Sequence, residues 1–174
     1  YHVPELNFGN NKFRTGINHC IFDEQYDDLC SILERTGFRC LDLSLLAGYL
    51  KDGDTTSWDT YRNGNLYSLL TKASNMEHIE FQTDFPVDYT YWTTEVHCAV
   101  SPFSMFPIDK WLKLKHFGLS GMPVSQDDLL SFLGKLPSKL RSVELIPSLS
   151  FAIRETMLVF WPTFVTSWTG GIDL

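Results

Sequence analysis

Apolar positions recur along this chain in one short pattern, apolar-x-x-apolar-x-apolar. FRCLDL carries it as Phe38, Leu41 and Leu43, and MEHIEF as Met76, Ile79 and Phe81. LKHFGL repeats it as Leu114, Phe117 and Leu119, and LRSVEL as Leu140, Val143 and Leu145. The final apolar-x-apolar step is the alternation of a strand with one buried face. The middle residues fall at 41, 79, 117 and 143, which are intervals of 38, 38 and 26 residues. Periods of this size arise when similar units stack and bury their apolar faces against one another. The expectation is an α/β solenoid of about four irregular helix–strand units with a parallel sheet.

Helical spacing precedes the strands. From Asp23 onward, Tyr26, Leu29, Cys30, Ile32 and Leu33 make one apolar stripe. Asp23, Glu24, Asp27 and Asp28 crowd its first turns, where carboxylates favour the positive end of the helix dipole, and Gly37 is expected to end the helix. A second helix is predicted over Asn65–Ala73 with Leu66, Leu69 and Leu70 inward, and a single helical turn over Ile108–Trp111. Gln126–Lys135 is the last helix, with Leu129, Leu130 and Leu133 at helical spacing, Ser125 as its N-cap and Pro137 as its stop.

The remaining stretches lack a period. Residues 1–20 read as an irregular or capping N-terminal segment, 21–150 as the repeats and 151–174 as a C-terminal cap, all within one domain, 1–174. Phe85–Pro107 is aromatic and turn-rich. It is expected to pack on the core, although Tyr89, Tyr91 and Trp92 are also the kind of residues that anchor interfaces. The apolar C-terminal segment is broken by Arg154, Glu155 and Pro162, leaving runs too short to span a bilayer. Asp52-x-Asp54 opens like a calcium loop, but Ser57 and Asn63 stand where that loop needs Gly and Glu.

Composition narrows the partners. With 174 residues, 44% of them hydrophobic, the chain can build one sizeable core. A net charge of −7 and the lack of any Lys/Arg run argue against a nucleic-acid surface. No membrane association and no cofactor is expected. The four cysteines, Cys20, Cys30, Cys40 and Cys98, form no zinc-type spacing, and there is no glycosylation sequon or signal-like segment. Reduced thiols and an intracellular setting, cytoplasmic or nuclear, are therefore expected.

If the strands stack in parallel, the residues between the apolar positions form one ribbon along the sheet. They are Arg39, Cys40 and Asp42; Glu77, His78 and Glu80; Lys115, His116 and Gly118; and Arg141, Ser142 and Glu144. On a curved array this ribbon lies on the concave side, the surface with which solenoids hold partners. Its mixed charge suits selective contact with a protein, and the candidate protein-binding residues are Arg39, Asp42, Glu77, His78, Glu80, Lys115, His116, Arg141 and Glu144.

The repeated pattern, with helices between its strands, resembles the leucine-rich-repeat family. Leu114–Leu145, LKHFGLSGMPVSQDDLLSFLGKLPSKLRSVEL, in particular resembles the C-terminal repeats of fungal F-box-like leucine-rich-repeat proteins. The resemblance extends more loosely over Asp23–Phe81. It implies a substrate-recognition part of an F-box-type ubiquitin-ligase adaptor, with a protein substrate on the concave strand face. Contact with ligase subunits would use an F-box helical segment, which Tyr1–Cys20 does not resemble. The positions after the strands hold Ala47, Asp84, Met122 and Ser148 in place of the family's usual asparagine.

A rival reading is a cysteine- or zinc-dependent enzyme built on the dipeptides His19-Cys20 and His97-Cys98. A nucleophilic thiol needs a histidine within hydrogen-bond reach, and two imidazoles with two thiols also suit zinc. Other catalytic signals are missing. Gly118-Leu119-Ser120-Gly121 lacks the G-x-S-x-G frame of a nucleophile elbow, and no P-loop or dinucleotide fingerprint occurs.

Overall fold

Four amides mark the starts of four strands in the same way. Phe38, Met76, Leu114 and Leu140 each donate to the carbonyl three residues back, those of Arg35, Ala73, Trp111 and Pro137, at 2.9–3.1 Å. These are the first apolar positions of the four sequence patterns. Immediately afterwards, two successive N–H groups converge on one carbonyl of the preceding strand's start. Arg39 and Cys40 share the Pro4 carbonyl, Glu77 and His78 that of Arg39, Lys115 and His116 that of Glu77, and Arg141 and Ser142 that of Lys115. Two residues opposite one make a bulge-like step. The step accounts for two intervening residues between first and second apolar positions that both face the core.

The computed structural model describes residues 4–9, 16–18, 21–46, 63–83, 100–122, 124–146 and 165–166. Its strands are β1 (Glu5–Phe8), β2 (Ile17–Asn18), β3 (Cys40–Leu46), β4 (His78–Thr83), β5 (His116–Ser120), β6 (Ser142–Ile146) and β7 (Val165–Thr166). Five of them, β1, β3, β4, β5 and β6, lie side by side in chain order and run parallel. β2 continues the same edge of β3 beyond β1, and β7 pairs antiparallel with β6. The register matches the sequence spacing: Leu41 faces Ile79, Ile79 faces Phe117, and Phe117 faces Val143. The shorter last interval still brings its strand into line. The class is α/β with a parallel sheet.

Strand β1 corrects the expectation of an irregular segment over residues 1–20. Leu6 pairs with Leu41 and Phe8 with Leu43, and both pack on the core.

Four α-helices accompany the sheet among the described residues: α1 (Ile21–Glu24), α2 (Tyr26–Leu33), α3 (Asn65–Thr71) and α4 (Gln126–Leu133). The first predicted helix is thus two pieces broken at Gln25, and Gly37 is not its cap. Glu34 keeps right-handed backbone angles, and the Arg35 amide reaches only to Ile32, tightening the end before Gly37 is met. Helix α3 ends in the same manner, with Lys72 and Ala73 bonded to Leu69 and Leu70. Helix α4 stops at Leu133, short of Pro137. Ser125 caps it as predicted, its hydroxyl accepting from the Asp128 amide at 3.1 Å. The buried face differs from the leucine spacing: Phe132 is fully buried whereas Leu130 is 58% exposed.

The core lies on one face of the sheet. Ile79, Phe81 and Phe117 point into it, joined by Phe38, Leu66, Leu70, Met76, Trp111 and Leu114. The described end of the aromatic stretch, from Val100 on, contributes Met105 and Phe106, both buried, as expected for packing on the core. Phe106 sits among Phe81, Phe117 and Phe132 at centroid distances of 5.4, 5.3 and 6.0 Å. The Trp111 indole, buried among them, donates to the Leu70 carbonyl at 3.2 Å, which satisfies its one polar group. No helix among the described residues is long and apolar enough to cross a membrane.

Candidate functional site

The other face of the sheet is polar because strand side chains alternate. In β4, His78, Glu80 and Gln82 are half-buried, while Ile79, Phe81 and Thr83 are buried. Parallel register then stacks like positions into rows. One row runs Glu5, Cys40, His78, His116, Ser142; the next runs Asn7, Asp42, Glu80, Gly118, Glu144. All nine residues predicted for protein binding are at least partly exposed on this side of the sheet or at its strand starts.

The strand starts carry an alternating charge row. Glu77 lies between Arg39, 3.6 Å away, and Lys115, which donates directly to its carboxylate. That hydrogen bond, helped by the nearby positive charges, holds the Glu77 carboxyl below the usual carboxylate range. Beyond it the row turns positive. Lys113, Lys115, Lys139 and Arg141 line, with Glu77, an open depression of about 440 Å³. Lys113 also donates to Asn75 Oδ1 at 2.6 Å.

One step along the strands lie two histidines. The rings of His78 and His116 stack with centroids 4.2 Å apart and planes 10° apart. His78 Nε2 meets Asp42 Oδ1 at 3.0 Å, and His116 Nδ1 meets Ser142 Oγ at 2.7 Å. Burial, and then the neighbouring His78, push the His116 imidazole below the ordinary histidine value. Cys40, in the same row, is a free thiol. Burial raises its titration first, and the carboxylates of Glu5, Asp42 and Glu77 add to it.

Asp42, His78 and Glu80 bring one ligand atom each to within 4.8 Å of the others. Asn7 Nδ2 donates to Asp42 Oδ2 at 3.1 Å, and Gln82 Nε2 donates to Glu80 Oε1. Gly118 leaves a notch beside them: a Cβ there would stand 3.0 Å from Glu80 Cγ and 3.4 Å from His116 Nε2.

Sequence reasoning missed β1, which extends the polar face by Glu5 and Asn7. Val3, Leu6 and Phe8 carry the same apolar-x-x-apolar-x-apolar spacing, so a signal was present. It also missed Lys113 and Lys139, which flank predicted residues and complete the positive depression. His19, Cys20, His97 and Cys98 lie outside the described residues, as do Asp52, Asp54, Tyr89, Tyr91 and Trp92.

Comparison of the chain with protein-family models, with curated proteins and with solved structures finds no match. The geometry of this face therefore carries the functional reading.

Proposed function

We propose that this chain is a leucine-rich-repeat-like solenoid that binds another protein across the polar face of its parallel sheet. The observation that carries the reading is the fourfold recurrence of one strand-start geometry, which lines up like side chains in rows on one accessible face. Repeated units of this kind expose long surfaces suited to extended partners.

Charge of both signs is distributed along that face. Carboxylates stand along the strands at Glu5, Asp42, Glu80 and Glu144, while the strand starts alternate Arg39, Glu77 and Lys115 and add Lys113, Lys139 and Arg141. A partner surface that also carries both signs fits this face, and such complementarity sets orientation and encounter rate more than raw affinity. The resemblance of Leu114–Leu145 supports a substrate-recognition role in an F-box-type ubiquitin-ligase adaptor. The free thiols Cys30 and Cys40 suit the reducing, intracellular compartment such a role requires.

Paired affinity capture tests this. The native chain serves as one bait, and a folded variant with Glu77→Lys, Glu80→Lys and Glu144→Lys as the other. Proteins retained by the first and lost by the second are the expected result. Equal recovery by both baits would remove the binding site from this face.

A further inference from the structure

We propose that Asp42, His78 and Glu80 form a binding site for a divalent first-row transition ion, with Zn²⁺ the best-fitting member of that class. The site adds a ligand chemistry to the sheet face and stands whether or not a protein partner binds there.

The fold supplies the three donors from two adjacent strands. Asp42 of β3 is paired directly with Glu80 of β4, and His78 precedes Glu80 by two residues, so all three side chains leave the same face. Their ligand atoms lie within 4.8 Å of one another, and the Asp42–His78 pair is already at 3.0 Å. Donors about 2.0–2.2 Å from a shared Zn²⁺ stand roughly 3–3.5 Å apart. Closing the set from separations of up to 4.8 Å therefore needs a shift of no more than about 1.3–1.8 Å, within the swing of a glutamate side chain. Gly118 provides the room, since any Cβ at that position would press on Glu80 Cγ.

The surrounding hydrogen bonds orient the donors as metal ligands are oriented elsewhere. Asn7 engages Asp42 Oδ2 and leaves Oδ1 toward His78; Gln82 engages Glu80 Oε1 and leaves Oε2 available. His116 stacks on the His78 ring and limits its rotation. One imidazole with two carboxylates is a borderline donor set. It disfavours Ca²⁺ and Mg²⁺, which take all-oxygen shells, and soft ions such as Cu(I), which prefer sulfur. Three protein ligands leave at least one coordination position open to water or to an outside group. His78 and Asp42 side chains are 35% and 27% exposed, so an ion can reach them from solvent.

The ordinary alternative is that His78 and Asp42 are only a surface pair on a polar strand face. Zn²⁺ titration of the tag-free, full 174-residue chain against a chromophoric chelator separates the two, with Co²⁺ absorption as a spectroscopic check. The expected result is about one ion per chain, weakened at least about tenfold in each of His78→Ala, Asp42→Asn and Glu80→Gln. Binding is expected to persist in the double variant Cys20→Ser, Cys98→Ser, with a Co²⁺ spectrum free of thiolate charge transfer. The three carboxylate and imidazole variants are conservative or half-exposed, and their melting curves without metal establish that they fold. Failure of the native chain to take up Zn²⁺ at micromolar concentration would overturn the proposal. So would uptake of equal strength in the native and all three variant chains, or uptake lost in the cysteine variant.

Discussion

Phe106 stands edge-on against Phe117, with ring centroids 5.3 Å apart and planes at 88°. It meets Phe81 in the same way, at 5.4 Å and 83°. One side chain from the segment between β4 and β5 thus locks the inward residues of both strands, and Phe117 is wholly buried. Phe117→Ala should destabilise the fold by about 3–5 kcal/mol, the range for truncating a buried aromatic. Phe117→Asp should prevent folding, because an unpaired buried charge is far more costly. Denaturant unfolding followed by tryptophan fluorescence reads both. A melting transition unchanged by the aspartate would refute the strand register.

Gly121, just after β5, takes a left-handed backbone with φ of 73°. A Cβ there would meet the Thr83 carbonyl oxygen at 2.1 Å, while the Thr83 hydroxyl donates to the Gly121 carbonyl at 2.6 Å. Strain and collision both act against Gly121→Ala, which should lose on the order of 1–3 kcal/mol or more. Gly134 is the internal comparison. It has φ of −65°, and a Cβ there makes only ordinary contact, 3.5 Å from the Leu130 carbonyl. Gly134→Ala should therefore be neutral or gain up to about 1 kcal/mol by restricting the unfolded chain. Equal effects of the two substitutions would contradict this account.

Ser125 holds the start of α4 by accepting from the Asp128 amide and donating to its carboxylate at 2.9 Å. Ser125→Ala should cost about 1 kcal/mol, and Ser125→Thr should recover most of it, because a threonine hydroxyl can accept from the same amide and donate to the same carboxylate. Chemical-denaturation midpoints of the three proteins test the order. An alanine variant as stable as the native chain would mean that the cap contributes nothing.

The spacing of Leu41, Ile79, Phe117 and Val143 was enough to read the parallel register, because a core on one face permits only one alignment of alternating side chains. The same spacing places Asp42 beside Glu80 and His78 beside His116, each pair 38 residues apart. What spacing does not contain is how side chains turn. That Asp42 reaches diagonally to His78 instead of only facing Glu80 depends on rotamers and on the hydrogen bond from Asn7. Helix α4 shows the other limit. Three leucines set a plausible stripe, yet the buried member is Phe132, drawn inward by Phe103 at 5.3 Å and Phe117 at 5.2 Å. Those partners come from distant segments, so the local period could not select among the apolar residues.

Acid should reach Glu77 only below the pH at which ordinary carboxylates protonate. Its carboxyl titrates below the ordinary range chiefly because Lys115 donates to it, with Arg39 adding charge from the other side. A carboxylate whose folded value is depressed contributes stability above its unfolded value, about 4.3, and that contribution fades as pH falls through the folded value. The energy involved is small because the pair is open to solvent. The titration itself is the sharper readout. By carboxyl ¹³C NMR, Glu77 should show a midpoint below ordinary glutamate in the native chain. Lys115→Met should raise it toward the ordinary value, and Arg39→Met should raise it less. High salt should narrow the difference between native and variant, since exposed charges are screened within about 8 Å at physiological ionic strength. Lys115→Arg keeps the positive charge and should keep the midpoint low. Identical midpoints in the native and Lys115→Met chains would mean that the bridge from β5 to β4 is not populated in solution, and that the charge row does not order the strand starts.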